Sequence, residues 1–556
     1  MEVSKVGFLV FLSIFSVCLV VTQPAKSQYP GIIYIGSDGS VYSSTNATVP
    51  IQRVGDVYTF NDSIIDYSIV VYRDNIVVDG AGYAIQGQGG IGIDLSYRSN
   101  VTIKNVHIMG GFHYGIYLWN SLGNTITGNT VANNMRGIVI ENASTNVISA
   151  NDVTNNENGI SLYFSSNNKL RNNSMSSRYN FAVYGTELSH FVNDIDVSNR
   201  INGKRVYYLV NESDLVIGPS NFPDLGFLAL VNCANMTLQN YELSNNGQSV
   251  ILAFTTYSTI TQNYITNNYN GVGLYSSSNN FIFGNYITNN HRGIQLSKSS
   301  KGNSIYKNNI TNNVEGIYLF ESSQNTFTGN NITNSDIGIG FSASPNNVIY
   351  GNDFINNVKQ VHDSHMHDYL VTPSVNLWDF GYPLGGNYWS DYAGLDVKSG
   401  SNQDQLGSDR IGDTPYIIYE NNKDNYPLML YGSPLAISIV SPENKTYTVN
   451  HVDLTFTVSE PTLWIGYSLD GQTNVTIAGN TSLSELSTSS HRLVVYAKYT
   501  DGKTGTSEPV YFTIAQQSEP FPTNWIVAAI MIVALVGAAI MIYFTKVKKT
   551  TGKVEK

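Results

Sequence analysis

Three groups of side chains in this sequence have the residue types and spacing for recognition or chemistry. The first is aromatic: Tyr117, Trp119, Tyr163, Tyr275, Tyr318 and Phe320 stand at fixed offsets from a recurring glycine. Ring faces set among polar neighbours suit stacking on sugar rings, and exposed aromatic patches mark binding surfaces. The second is acidic: Asp391, Asp396, Asp404, Asp409, Asp413 and Asp424 lie in a Gly-rich stretch and offer hard oxygen donors, which suits Ca²⁺. Their spacing is not that of an EF-hand, and Asp beside Gly, Ser or Thr also closes Asx turns. The third offers imidazole and thioether donors, which suit copper or zinc. It comprises His362, His365 and His367, spaced H-x2-H-x-H beside Asp363 and Asp368, and His113 one repeat before Met135, with His107 and Met109 nearby. The plainer reading of these histidines is solvated loop positions. Glycoside hydrolysis would need two carboxylates about 5–9.5 Å apart, and Glu141 and Glu157 are the candidates near the aromatic set.

What positions these residues is a repeat. Gly92, Gly115, Gly137 and Gly159, then Gly271, Gly293, Gly316 and Gly338, recur every 22 or 23 residues within each group. Asn124, Asn146 and Asn168, then Asn280, Asn303, Asn325 and Asn347, keep the same beat. A fixed period in this range marks units that cannot bury their apolar face alone and must stack. After each glycine the residues alternate, so Ile116 and Leu118 should point inward while Tyr117 and Trp119 point out. A second run supplies Ile126 and Val131 to the same interior. The period is half that of a propeller blade, and the Asn, Gly and Thr content opposes the helical return of a leucine-rich repeat. The pattern predicts a right-handed parallel β-helix whose Asn column forms an amide ladder. The repeat breaks from Arg178 to Gly226, and this insertion is expected to pair as a small β-element on one flank.

The remaining segments complete an all-β chain with one added helix. Residues 1–27 read as a signal peptide, with Lys5 ahead of an apolar run. The β-helix is expected over 28–357 with its insertion at 178–226, and a Trp- and Asp-rich cap over 358–432. Residues 433–515 give short strands with turns every 8–12 residues, the pattern of a small immunoglobulin-like β-sandwich. A linker, 516–524, leads to an uncharged apolar run, 525–544, long enough for a transmembrane helix, and the Lys-rich tail 545–556 places the C-terminus in the cytoplasm. The expected location is therefore a single-pass cell-membrane protein with its bulk extracytoplasmic. A net charge of −11 with 13% charged residues disfavours nucleic acid as a partner. Of the two cysteines, Cys18 falls in the leader and Cys233 remains without a partner. Sequons such as those at Asn46, Asn235, Asn309, Asn444 and Asn474 suit an external, glycosylated surface.

Several stretches together resemble the NosD-like family of extracytoplasmic right-handed β-helix proteins, in particular its archaeal surface branch. They are the coils of the type NNYNGVGLYSSSNN, the insertion DIDVSNRINGKRVYYLVNESDLV, and the block GGNYWSDYAGLD followed by GSDRIGDTPYII and DNYPLM. The likeness spans roughly residues 30–430. The family takes its name from periplasmic proteins implicated in copper delivery to nitrous oxide reductase, so the resemblance implies copper handling as one function. The coil motif is shared with sugar hydrolases, lyases and epimerases and identifies architecture more than activity. The sequence has no Asp-Asp, Asn-Thr-Asp or Gly-His-Gly of the kind that pectin-cleaving β-helix enzymes carry. Three functions follow as expectations: a surface protein binding glycans or other cell-surface proteins through a lateral face, a polysaccharide hydrolase or lyase, and a copper-handling protein.

Overall fold

The computed structural model describes residues 31–366, 370–419, 421–429, 437–458, 462–499, 504–507, 509–515 and 523–551. The expected leader and His367 lie outside them. The chain divides into two units: residues up to Phe380 with Gly386–Leu395 and Ile411–Ser433, and Gly381–Gly385 with Asp396–Arg410 and the chain from Pro434 on.

The first unit is a parallel β-helix of the right-handed type. Each coil contributes a six-residue strand and two three-residue strands, as in Tyr114–Trp119, Thr125–Thr127 and Thr130–Ala132. Equivalent residues pair in register from coil to coil, so Ile116, Ile138 and Ile160 stack in the interior. Two residues close each turn, with different jobs. The first takes a left-handed backbone, as at Asn267 (φ 57°) and Asn289 (φ 57°). The second is a buried Asn, as at Asn268 and Asn290. Asn290 Oδ1 accepts from the backbone N–H and the amide of Asn268 (2.9 and 3.0 Å). Its own amide donates to Ile265 O, Thr288 O and Asn313 Oδ1. The expected amide ladder is therefore real, and it is repeated at all three turns: Asn285 and Asn303 hold the equivalent places at the other two. The recurring glycine answers to close approach. A Cβ on Gly293 would lie 2.5 Å from the carbonyl oxygen of Gly316 in the next coil.

The coils form two stacks, and the segment between them corrects the expectation of a flanking β-element. In the first stack the six-residue strands build an eight-stranded sheet ending at Tyr179–Tyr184. Short strands of that stack, ending at Arg200–Ile201, belong to a fifteen-stranded sheet that continues into the second stack. The bridge is a hairpin: Arg200–Ile201 pairs antiparallel with Lys204–Val210 through Asn202 and Gly203, both at positive φ. Lys204–Val210 then pairs parallel with Leu225–Val231, the first six-residue-type strand of the second stack. Reversing strand direction while stacking continues, with the hand unchanged, must move the interior to the other face of the shared sheet. Burial shows this: Phe227, Ala229 and Val231 join the first core, while Leu225, Leu228 and Leu230 join the second. All seven residues of Leu225–Val231 are buried, as expected for a strand covered on both faces. The short helix Leu188–Phe191 closes the end of the first stack with the fully buried Phe191.

Irregular chain covers the far end of the second stack. Trp378 and Trp389 lie buried over Phe341 and Phe354. The hairpin Tyr416–Tyr419 with Asn422–Asp424 ends two of the Asn ladders. Asn422 Oδ1 accepts from Asn376 N–H and the Trp378 indole (3.0 and 2.8 Å), and Asp424 Oδ2 accepts from Asn387 N–H and the Trp389 indole (2.7 and 2.9 Å).

In the second unit, a three-stranded and a larger, mainly antiparallel sheet share one core that includes Leu454, Leu483, Leu493, Val495 and Phe512. The helix Thr523–Thr551 carries the apolar run. Its described side chains, residues 531–546, are exposed. Among the described residues no helix is long and apolar enough to cross a membrane.

Candidate functional site

The outer face of the eight-stranded sheet brings together most of the side chains able to recognise a ligand. Register sorts them into rows: Tyr114, Arg136, Asn158 and Tyr179; Tyr117, Val139, Ser161 and Ala182; Trp119, Glu141, Tyr163 and Tyr184. Further rings lie toward the N-terminal coils, with Tyr34 in the register row of Tyr117. Tyr34 stacks on Tyr42 (5.1 Å between centroids) and on Tyr72 (5.9 Å), Tyr97 meets Trp119 edge-on (4.8 Å), and Tyr163 stacks on Tyr184 (5.1 Å). Tyr42, Tyr72 and Tyr97 are about half exposed, at 48%, 48% and 54%.

Beside these rings the face is filled by side chains. Val139 and Ser161 point outward yet are buried, because longer neighbours fold over them. Tyr117 donates its hydroxyl to Glu141 Oε2 (2.8 Å), and its ring lies 4.8 Å from that of Tyr114. The Arg136 guanidinium lies over the Tyr114 ring at 5.1 Å and donates from Nη1 to its hydroxyl at 2.7 Å. Burial, reinforced by Glu141, pushes the Tyr117 phenol up. Burial raises the Tyr163 phenol too, with the Arg136 charge opposing. Both hydroxyls therefore keep their protons near neutrality and act as hydrogen-bond groups.

The other members of the aromatic set fare differently. Tyr275 is only 5% exposed and packs on Phe191 (5.5 Å) in the first core, which corrects its expected outward position. The shared sheet causes this: the outward face of the second stack's first strands is the lid of the first stack. Burial pushes the Tyr275 phenol up to about 12. Tyr318 and Phe320 lie farther along the fifteen-stranded sheet, so the set does not form one strip. Arg292 covers the Tyr318 ring at 4.1 Å while pairing with Glu315 (2.5 Å), and Lys298 covers the Phe320 ring at 4.5 Å while pairing with Glu321 (2.8 Å). Those ring faces are already occupied by cations. Tyr114, Arg136, Tyr97, Tyr72 and Tyr34 were missed by following only the second and fourth positions after each glycine. The position before the glycine carries Tyr114 and Arg136, and the same register exposes it.

The acidic set does not gather. Asp391, Asp413 and Asp424 belong to the first unit; Asp396, Asp404 and Asp409 belong to the second. Asp391 accepts from the Tyr416 hydroxyl. Asp396 accepts from Asp409 N–H, Arg410 N–H and the Ser408 hydroxyl, and Asp409 from Gly400 N–H and the Gln403 amide. Asp404 is exposed. Asp424 is a ladder end whose carboxyl burial pushes up to about 7, against three N–H donors that pull it down. These are turn and cap roles, and among the described residues no three His, Cys, Asp or Glu side chains could hold a metal together.

The copper donors fit no better. His365 Nδ1 lies 2.6 Å from Val371 O, and Asp363 is buried, accepting from the Tyr419 hydroxyl, Ser374 N–H and His365 N–H. His362 is half-buried opposite Gly340. His113 and the 53%-exposed Met135 precede a register pair on adjacent coils and offer two donors. The thiol of Cys233 is buried and bonded to backbone carbonyls. Among the described residues these groups do not compose a copper site. Nor do the two candidate carboxylates compose a hydrolytic pair. Glu157 is six residues, roughly 20 Å of strand, from Tyr163, the register partner of Glu141, and it is ion-paired to Arg178 at 2.9 Å.

A family model described as periplasmic copper-binding protein (NosD) matches residues 43–214 and 192–394. A search of curated proteins returned no match. Among solved structures, the A-module of the Azotobacter vinelandii mannuronan C-5 epimerase AlgE6 is 14% identical, with 58% of this chain and 87% of that one covered and a TM-score of 0.19. Alginate lyase from Paenibacillus sp. is 11% identical over 54% of this chain and 91% of that one, at a TM-score of 0.18. The Dettilon tailspike protein is 11% identical over 81% and 83%, at 0.22.

Proposed function

The chain belongs to the NosD family, and from that membership and the geometry above we propose that it is an extracytoplasmic β-helix protein that binds a glycan along the outer face of its first stack. The observation that carries this reading is two groups of aromatic side chains on this face, Tyr34, Tyr42, Tyr72, Tyr97 and Trp119 on the coils before Glu141 and Tyr163 and Tyr184 on the coils after it. Coils rise about 4.8 Å each, so the rings form a graded platform running across the strands, suited to an extended chain of sugar rings. Tyrosine and tryptophan give large amphipathic contact area at a low entropic cost. The second unit, with an immunoglobulin-like arrangement, would serve as a spacer. The residues expected to carry recognition are Tyr97, Trp119, Tyr117 and Tyr163. Tyr318 and Phe320 take no part.

The test is binding of the full-length protein to a glycan panel, with Trp119→Ala and Tyr97→Ala compared against the parent. Loss of one stacking ring should weaken binding by about ten- to hundredfold, following the 1–3 kcal/mol typical of such rings. Unchanged binding in both variants, with folding intact by circular dichroism, would remove the platform from the argument.

A further inference from the structure

At its N-terminal limit the face ends in an open cleft of about 480 Å³, lined by Gly36, Ser37, Asp38, Ser40, Tyr42 and Tyr72. The sheet stops here because Val41–Ser43 folds back antiparallel on Gly31–Ile35, which sets the loop Gly36–Ser40 beside the first rings. Tyr34 is the middle ring of three, stacked with Tyr42 and with Tyr72 from the strands on either side of its own. The ring faces left for a ligand are therefore those of Tyr42 and Tyr72, each 48% exposed.

The cleft is organised before a ligand arrives. Gly36 N–H donates to Ser40 O and Gly39 N–H to Gly36 O (2.9 and 2.8 Å). Gly39 O accepts from Arg53 Nη1 and the Tyr58 hydroxyl (2.8 and 3.1 Å), which ties the loop to the neighbouring strands. The backbone of Tyr72 is fixed in the same way, its N–H donating to Ile35 O and its carbonyl accepting from Arg98 Nη1 (both 2.8 Å). Asp38 Oδ1 accepts from the Ser40 N–H and hydroxyl (2.9 and 2.6 Å), and no described residue donates to its Oδ2. The hydrogen bonds from Ser40 hold the Asp38 carboxyl below the usual carboxylate range, so it is charged at neutral pH. Arg53 and Arg73 approach Gly39 without lining the cleft, and Arg73 is paired with Asp56 at 2.7 Å. An ionised carboxylate with one oxygen open takes sugar hydroxyls in charge-assisted hydrogen bonds, about twice as strong as neutral ones. The same charge repels a ligand carboxylate, and the net charge of −11 acts in the same direction.

We propose that this cleft binds one neutral hexose unit, with Asp38 Oδ2 accepting from its hydroxyls and Tyr42 and Tyr72 against its C–H surface, and that it discriminates against uronates. This rests on the glycan-binding reading of the same face and adds the charge class of the ligand and the place of one subsite.

The experiment measures binding of the full-length protein to hexasaccharides of glucose, mannose and galactose, to those of the matching uronates, and to tetramethylammonium, for the parent, Asp38→Asn, Asp38→Ala and Trp119→Ala. The parent should bind a neutral hexasaccharide more tightly than its uronate counterpart. Asp38→Asn keeps an acceptor for Ser40 and removes the charge, so it should weaken the neutral sugar by about tenfold and narrow the discrimination; Asp38→Ala should weaken it by about ten- to hundredfold. A parent that prefers the uronate would overturn the proposal, as would one that binds tetramethylammonium and no sugar, the outcome for a cage that selects cations. Parent-like affinity in Asp38→Asn with loss in Asp38→Ala would also overturn it, because the carboxylate would then only shape the loop. If Trp119→Ala weakens binding and neither Asp38 variant does, the cleft fails while the glycan reading stands. If both Asp38 variants weaken binding and Trp119→Ala does not, the cleft stands without the rest of the platform. If no hexasaccharide binds, or no variant changes binding, both fail.

Discussion

Replacing Asn290 by Ala tests what the buried asparagines do. The side chain makes five hydrogen bonds. Its Oδ1 accepts from Asn268 N–H and Asn268 Nδ2, and its Nδ2 donates to Ile265 O, Thr288 O and Asn313 Oδ1. Alanine strips partners from two donors and three acceptors in a place water does not reach. Each orphaned buried group costs about 1–3 kcal/mol, and the acceptors keep some alternatives, so a total of about 3–5 kcal/mol is expected. The neighbouring Asn289 is the internal control. It has a left-handed backbone (φ 57°) and an exposed side chain, so Asn289→Ala should cost only the strain of that conformation, about 1–2 kcal/mol, and Asn289→Gly close to nothing. Urea unfolding monitored by circular dichroism gives the ranking. Hydrogen exchange at the amides of Asn268 and Asn290 locates it, since both N–H groups belong to the ladder and solenoids open locally. Equal, small losses for Asn290→Ala and Asn289→Ala would show that the ladder is decoration and that backbone conformation alone explains the Asn-Asn pairs.

Two further perturbations probe the scaffold. Gly293→Ala should destabilise by about 1–3 kcal/mol through overpacking, because the new methyl would meet the Gly316 carbonyl oxygen at 2.5 Å; an unchanged urea midpoint would refute the close-approach account. Asp424, fully buried at a ladder end, has its pKa raised from 3.8 to about 7, so its folded form holds a proton that the unfolded chain releases. Its contribution is fully present below about pH 4 and is lost as pH rises toward 7, by up to about 4 kcal/mol. Unfolding midpoints measured across that window should fall with rising pH, accompanied by a change in Trp389 emission, because its indole donates to this carboxylate. A flat profile would show that the three N–H donors hold Asp424 ionised throughout.

The coil architecture was legible because its causes are local. The glycine spacing, the alternation around Ile116 and Leu118, and the Asn beat each follow from one turn meeting the next. The Asn column read from Asn124 and Asn280 is one of three, and the others, through Asn129 and Asn134 in the first stack, keep the same period. The site was less legible for two reasons. Outward positions such as Tyr318 and Phe320 acquire cationic covers from residues one coil away, Arg292 and Lys298. The acidic set looked like a cation site because Asp is also what ends a ladder or caps a turn, as Asp424 and Asp396 do.

The junction between the stacks was the largest departure, and it leaves a signature that period alone does not reveal. A coil strand covered on one face alternates, as Tyr114–Trp119 does. Val206–Val210, Leu225–Val231 and Ser249–Ala253 do not alternate; they are apolar or small at nearly every position. Such runs fit strands buried on both sides, and a solenoid strand acquires a second buried side only by packing on another core. Together with Asn202-Gly203, a dipeptide favoured in tight antiparallel hairpins, the runs imply a reversal of chain direction inside a solenoid that otherwise requires parallel strands. The reversal turns the second stack's interior to the opposite face, makes Tyr275 a lid residue, and ends the eight-stranded sheet at Tyr184. The aromatic platform therefore stops where the second stack begins, so the face to test for glycan binding runs from Tyr34 to Tyr184 and no farther.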